Sequence, residues 1–263
     1  MSVLLYEKKD RIAYITLNRP EAMNSINAEM WDALTQAWID VRDDPEVWTA
    51  IVTAAGEKAF CTGADLKEMG AVFAEAIKLG KPPTVPIPYI TPMRGGLNVW
   101  KPFIAAINGI ALGGGLELAM ACDIRIAAEH AKMGVPEVKQ GLIPGMSGTQ
   151  KIPRLVPFGA AMEMLMTGDA ITAQEAYRLG LVNRVVPAAE LLSTAEALAR
   201  KINENGPVAV RAVKESAYRG IQMSLEDGLR FESLITVAVT QTEDAMEGPR
   251  AFIEKRKPVF KGK

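Results

Sequence analysis

The chain has 263 residues, 49% apolar and 23% charged, which is enough for one large core or one core with a smaller appendage. Its formal net charge of −1 provides no global basic field to draw it to nucleic acid or an anionic membrane. Two cysteines, Cys61 and Cys122, and a single histidine, His130, offer neither a disulfide framework nor metal-ligand spacing; no metal and a reducing, cytoplasmic setting are the expectation.

Short apolar runs at Leu4 to Tyr6 and Ile12 to Leu17 flank a polar Lys8-Lys-Asp-Arg11 and predict a β-hairpin. Asn27 reads as a helix cap, followed by Met30, Leu34, Trp38 and Val41 at helical spacing, with Asp43-Asp44-Pro45 as the stop. Thr49 to Thr53 is a β-branched strand that runs into the loop Gly56 to Asp65, which opens another helix. Lys81 to Pro92, with five prolines, predicts an irregular surface loop. Phe103 to Cys122 is long and apolar enough to span a membrane, but Asn108, four glycines and Glu117 interrupt it. It reads instead as a buried strand, a loop and a buried helix starting near Gly113 or Gly114. Ile124 to Ala127 is a further strand, and this alternation predicts an α/β layered core. After Val186 the pattern is helical only: Ala188 to Ile202, a restart at Pro207, and one long helix from Ser224 to Met246. The expected division is therefore 1–187 as an α/β core and 188–263 as a helical region.

Three constellations carry chemistry. Gly113-Gly114-Gly115 stands between a strand and a helix, where backbone can approach a ligand and unpaired N–H groups face negative charge; close packing of helix on strand is the competing reading. Gly63-Ala64-Asp65 also follows a strand and opens a helix, so N–H groups of Ala64 and Gly114 could converge on a carbonyl oxygen, although Asp65 could simply cap its helix. Third, Glu117 and Glu137 lie in mostly apolar stretches, where a carboxylate must be paired, hydrogen-bonded or raised in pKa. Two such acids suit proton transfer, while Glu137, just after Pro136, also fits a helix-start acid.

Taken in order, Asn108-Gly-x-Ala-x-Gly-Gly-Gly-x-Glu117-Leu-Ala, Cys122-Asp123, Pro136-Glu137 and Gly141-Leu-Ile-Pro-Gly145-x-x-Gly148-Thr-Gln resemble the enoyl-CoA hydratase/isomerase (crotonase) superfamily. Leu17-Asn-Arg-Pro20 with Asn24, Lys58-Ala-Phe-x-x-Gly63-Ala-Asp-Leu-Lys67 and Glu254-Lys-Arg-Lys-Pro258 extend the likeness over essentially the whole chain. The resemblance implies a spiral of repeated ββα units, related to that of ClpP, with residues 188–263 as a helical trimerisation region. It implies hydration of a 2-enoyl-CoA thioester, with Glu117 and Glu137 as the catalytic pair and the N–H groups of Ala64 and Gly114 as the oxyanion hole. By the same likeness Asp65, Leu66 and Lys67 line the coenzyme A site, Glu21, Ala22 and Met23 lie near its adenine and ribose, and Lys255 reaches a phosphate. No separate cofactor is implied, since coenzyme A enters with the substrate. The implied assembly is a homotrimer or a dimer of trimers, with no nucleic-acid or membrane partner.

Both glutamates are present, which favours hydratase over the isomerase members that lack one. His130 does not fall where the dehalogenase branch needs a histidine. Met146-Ser147 and Lys151-Ile152-Pro153 depart from the family's pattern, and with the proline loop they bear on acyl-chain preference. Enoyl-CoA isomerisation, dehydration of a specialised 3-hydroxyacyl-CoA, and a non-catalytic acyl-CoA- or RNA-binding role are the alternatives.

Overall fold

Asp10 and Arg11 both pass through the left-handed region, with φ of 52° and 63°, and so turn β1 (Leu4–Lys9) back onto β2 (Ile12–Leu17). Two consecutive residues with positive φ match the right-handed twist of the paired strands, and the register sets Leu4 against Leu17 and Lys9 against Ile12. This computed structural model describes residues 2–81, 93 and 97–263. The predicted proline loop therefore lies almost wholly outside the described residues.

The hairpin leads to α1 (Ala28–Asp43), whose first turn is closed by Asn27 accepting the Met30 N–H at 3.0 Å. The next three passages of chain repeat one plan. Each begins with a strand of a large sheet, continues into a three-residue strand of a small sheet, and ends in a helix or helical turn. The first comprises β3 (Thr49–Ala54), β4 (Ala59–Cys61) and α2 (Leu66–Leu79). The second comprises β5 (Phe103–Ile107), β6 (Ile110–Leu112) and α3 (Gly114–Ala119). The third comprises β7 (Ile124–Ala128), β8 (Lys132–Gly134) and a 3-10 turn at Pro136–Gln140. Then follow α4 (Gly148–Leu155), α5 (Phe158–Thr167), β9 (Ile171–Thr172), α6 (Ala173–Arg178) and β10 (Arg184–Val186).

The large sheet runs β1-β2-β3-β5-β7-β10 and the small one β4-β6-β8-β9. β2, β3, β5, β7 and β10 are parallel neighbours, as are β4, β6 and β8. The same strand-to-helix turn therefore recurs along one edge, which is where such sheets bind ligands. Sequence periodicity misses β4, β6 and β8 because three residues show no alternation; long-range pairing alone makes them strands.

The main core lies between the sheets and α1, with Met30, Leu34, Trp38 and Val41 buried and Trp38 stacked on Phe103 at 4.5 Å. Full burial of each large apolar side chain contributes about 1.5–3 kcal/mol. A second core forms on the other face of the large sheet, where α7 (Leu191–Asn203) sets Leu191, Ala195 and Ala199 against Ile12, Ile51, Ile104 and Ile126. Beyond it lie α8 (Pro207–Gly220), α9 (Leu225–Thr240) and α10 (Glu243–Ile253). The long helix expected from Ser224 to Met246 is two helices. Thr242 accepts the Ala245 N–H at 3.1 Å, and with Glu243 and Asp244 in the first turn it starts a new helix inside that run. Asp244 also accepts the N–H groups of Lys261 at 2.7 Å and Gly262 at 2.8 Å, holding the C-terminal tail against α10.

Candidate active site

Two strand-to-helix turns meet at the site because glycine lets them touch. A Cβ on Gly115 would stand 2.0 Å from the Cys61 carbonyl oxygen, so only glycine lets α3 press onto β4. Gly63 has φ of 89°, and a Cβ there would meet the Gly114 nitrogen at 3.0 Å and the Leu112 oxygen at 3.1 Å. Ile26 bridges the first turn by donating to the Gly63 carbonyl at 2.8 Å and accepting the Asp65 N–H at 2.9 Å, leaving the Ala64 N–H between them unused. Gly114 is the first residue of α3, where an N–H has no partner within the helix. Among the described residues neither the Ala64 nor the Gly114 N–H donates to an acceptor. The close-packing reading of the triple glycine is met at Gly115, while Gly114 keeps an N–H with no acceptor among the described residues.

Glu117 lies one turn into α3 and is 1% exposed. Its Oε1 accepts the Met146 N–H at 2.8 Å and the Gly148 N–H at 2.7 Å, while no described residue bonds Oε2. Burial pushes its carboxyl up to about 7; the negative charge of Glu137 adds to this, and the two N–H donors oppose it. Glu137, half-buried in the 3-10 turn, is raised as well, chiefly by burial. A Cβ on Gly113 would meet Glu137 Oε1 at 2.8 Å, so this carboxylate lies against the residue next to Gly114. Its Oε2 is closed off without a hydrogen-bond partner among the described residues. Two acids with raised pKa values therefore stand beside two free N–H donors.

The other expected site residues are distributed differently. Asp65 is buried and turned inward: it accepts the Lys67 N–H at 3.0 Å, capping α2, and pairs with Arg19 at 2.8 Å, which holds it below the usual carboxylate range. Leu66 and Lys67 are exposed at the start of α2. Glu21, Ala22 and Met23 occupy a 3-10 turn and its left-handed exit, held by Asn24, whose side chain donates to the carbonyls of Ala55 at 3.0 Å and Ala59 at 2.9 Å. Lys255 is exposed beyond α10, with φ of 52°. His130 is exposed against the Glu57 carbonyl at 3.2 Å, away from the carboxylate pair's hydrogen bonds.

Sequence reasoning missed three supports. Arg19, inside Leu17-Asn-Arg-Pro20, donates to the Ser25 carbonyl at 2.7 Å as well as to Asp65, and its place in that motif was the available signal. Lys151 donates to the Met120 carbonyl at 3.1 Å at the end of α3, and burial lowers its ammonium to about 8. Asp123 accepts the Phe103 N–H and the Lys214 ammonium, each at 2.7 Å, and so fastens α8 to the start of β5.

Two acids with raised pKa values and two N–H groups without an acceptor among the described residues, on neighbouring strand-to-helix turns, form a candidate site for acid–base chemistry. Residues 7–263 match the family described as Enoyl-CoA hydratase/isomerase. The chain is 45% identical to the (E)-benzylidenesuccinyl-CoA hydratase of Thauera aromatica, over 97% of its own length and 98% of that protein's. It is 43% identical to the short-chain-enoyl-CoA hydratase of Clostridium acetobutylicum, over 97% and 95% of the two lengths. Among solved structures, the enoyl-CoA hydratase of Bacillus anthracis superposes with a TM-score of 0.89 at 39% identity, covering 99% of this chain and 100% of that one. The chain belongs to the enoyl-CoA hydratase/isomerase family and has the crotonase fold.

Proposed function

We propose that this protein is an enoyl-CoA hydratase, adding water across the 2,3 double bond of a 2-enoyl-CoA thioester to give the 3-hydroxyacyl-CoA. The observation that carries this reading is geometric: Glu117 is buried on α3, the Glu137 carboxylate lies against Gly113, and the neighbouring N–H groups of Ala64 and Gly114 have no acceptor among the described residues. Full-length identity of 45% and 43% to two hydratases supports it.

In this mechanism the thioester oxygen accepts both N–H groups. Glu117, ionised and oriented by Met146 and Gly148, takes a proton from water as the water oxygen bonds to C3. The C2–C3 π electrons move into the thioester, whose oxygen takes up enolate charge where the two donors lie. Removal of one such donor typically costs about 2.7–4 kcal/mol of transition-state stabilisation. Glu137 then gives its proton to C2. One proton enters the pair from water and one leaves to carbon, so the active pair holds a single proton in either direction.

Glu21 to Met23, Leu66 and Lys67 supply the coenzyme A surface in this reading, with Lys255 as a phosphate contact. Asp65 acts there through the turn it caps. The assembly proposed is a homotrimer or a dimer of trimers, in line with α9: none of its residues is buried, and Leu225, Leu229 and Val237 are exposed. A groove of about 590 Å³ between α8 and α9 is lined by Val213, Ile221, Leu225 and Leu229. Facing copies of the chain would bury this surface.

The test is hydration of crotonyl-CoA, followed as loss of the conjugated enoyl-thioester absorbance, by the wild type and by Glu137→Gln. Turnover by the wild type, its loss by orders of magnitude in the variant, and retained acyl-CoA binding are expected. A folded wild type that hydrates no enoyl-CoA would refute the reading.

A further inference from the structure

Ser147 occupies a conformation that suits glycine, with φ of 116° and ψ of −4°. It stands between Met146 and Gly148, the two residues whose N–H groups hold Glu117 Oε1 at 2.8 and 2.7 Å. A glycine would adopt this backbone without strain, so the side chain is what serine adds. That side chain does not do the usual work of a serine at a helix start. Ser147 is the N-cap of α4, yet its hydroxyl caps nothing. The N–H groups of Gln150 at 3.0 Å and Lys151 at 2.8 Å go to its carbonyl oxygen instead. Its Oγ is shut away from solvent with no partner among the described residues, and Glu137 Oε2 is in the same condition. Buried polar atoms are ordinarily paired, and here two unpaired ones belong to the carboxylate site and the segment clamping it.

We propose that the Ser147 hydroxyl contacts substrate, hydrogen-bonding the oxygen at C3 of the acyl chain: the attacking water in hydration and the 3-hydroxyl in the reverse direction. This rests on the hydratase reading above. That reading sets the C3 oxygen against Glu117, whose Oε1 is already taken by the N–H groups on either side of Ser147. A hydroxyl both donates and accepts, so it keeps a bond to this oxygen while water becomes a carbon-bound hydroxyl. Ser147 would then distinguish acyl groups with an oxygen on C3 from those without one.

The test compares two probes by titration calorimetry: acetoacetyl-CoA, with an oxygen on C3 and no hydroxyl to eliminate, and butyryl-CoA, with none. Wild type, Ser147→Gly and Ser147→Ala are titrated with each, and crotonyl-CoA hydration is assayed in parallel. Both variants should bind acetoacetyl-CoA about 5- to 10-fold more weakly, the effect of one neutral hydrogen bond, while butyryl-CoA binding stays within about twofold. Ser147→Gly should melt no lower than the wild type and lose turnover nevertheless, with the pH dependence of its residual rate unchanged. Unaltered acetoacetyl-CoA affinity, or equal weakening for both probes, would overturn the proposal; the latter would mean that Ser147 acts only through the placement of Glu117. A wild type that binds both probes but hydrates nothing would refute the hydratase reading instead, while the two affinities would still report on Ser147.

Discussion

Gly148 donates its N–H to Glu117 Oε1 at 2.7 Å from a position where a side chain does not fit. A Cβ there would meet Pro144 Cβ at 2.7 Å and the same Glu117 oxygen at 3.1 Å. The donor's closeness and the absence of a side chain are one requirement. Gly148→Ala must therefore displace the carboxylate, the Pro144 loop, or both. We expect turnover to fall at least about tenfold and stability to fall by about 1–3 kcal/mol, as for other over-packed sites. Steady-state kinetics and urea unfolding measure the two effects. Unchanged kinetics would mean that the position of Glu117 is unimportant.

Glu117 also costs the fold stability at neutral pH. Its native pKa of about 7 stands above the ordinary 4.5, so between these values the native protein keeps a proton that the unfolded chain has released. Native stability is therefore free of this penalty below the ordinary value and loses ground as pH rises to about 7. Glu117→Gln, which keeps an oxygen for the two N–H donors, should be more stable than the wild type at pH 8 by roughly 2–3 kcal/mol. The gap should close by about pH 4, where both forms are neutral. Unfolding curves across this range check the sign, and a gap independent of pH would show that Glu117 is not titrating as described. Hydration should be lost in the variant at every pH.

Legibility in the sequence followed the range of the interactions. The hairpin turn, the Asn27 cap and the helix start at Gly114 rest on a few adjacent residues, and each stands where the sequence pattern places it. β4, β6 and β8 depend on partners dozens of residues away, and nothing in three residues announces them. The same limit applied to the site. Both glutamates could be singled out as acids in apolar surroundings, but not the pinning of Glu117 by Met146 and Gly148, 29 and 31 residues further on. Asp65 reads from the sequence as a helix cap, and its bond to the Lys67 N–H is that cap, but its ion pair with Arg19, 46 residues earlier, has no local signal. Thr242 was hidden because apolar periodicity continues across the break it caps.

Gly114→Pro isolates the contribution of one N–H. Proline is tolerated at the first position of a helix, and the preceding Gly113, with φ of 53°, is free of the usual restriction on a residue before proline. The fold should persist, while the donor is lost and the ring takes the place that the proposed mechanism gives the thioester oxygen. Turnover should fall by about 10²–10³-fold or more, with the melting temperature within a few degrees of wild type. Near-normal turnover in a folded variant would remove Gly114 from the oxyanion assignment.

The assembly proposal has its own handle in the α8–α9 face. Ile221 is 77% exposed and Leu225 80% exposed, an arrangement that leaves large apolar area in water unless another copy covers it. Because neither side chain is buried within the chain, a charge there leaves the single subunit's core unchanged. Burying that charge at an interface between copies costs several kcal/mol, about 2–7 for an unpaired polar group and more for an ion. On the proposed assembly, Leu225→Asp with Ile221→Asp should therefore sediment as a single chain, and the wild type as three or six. Its helical circular dichroism should be retained. If the wild type itself sediments as one chain, the trimer proposal fails. If the double variant assembles like the wild type, copies meet through another face.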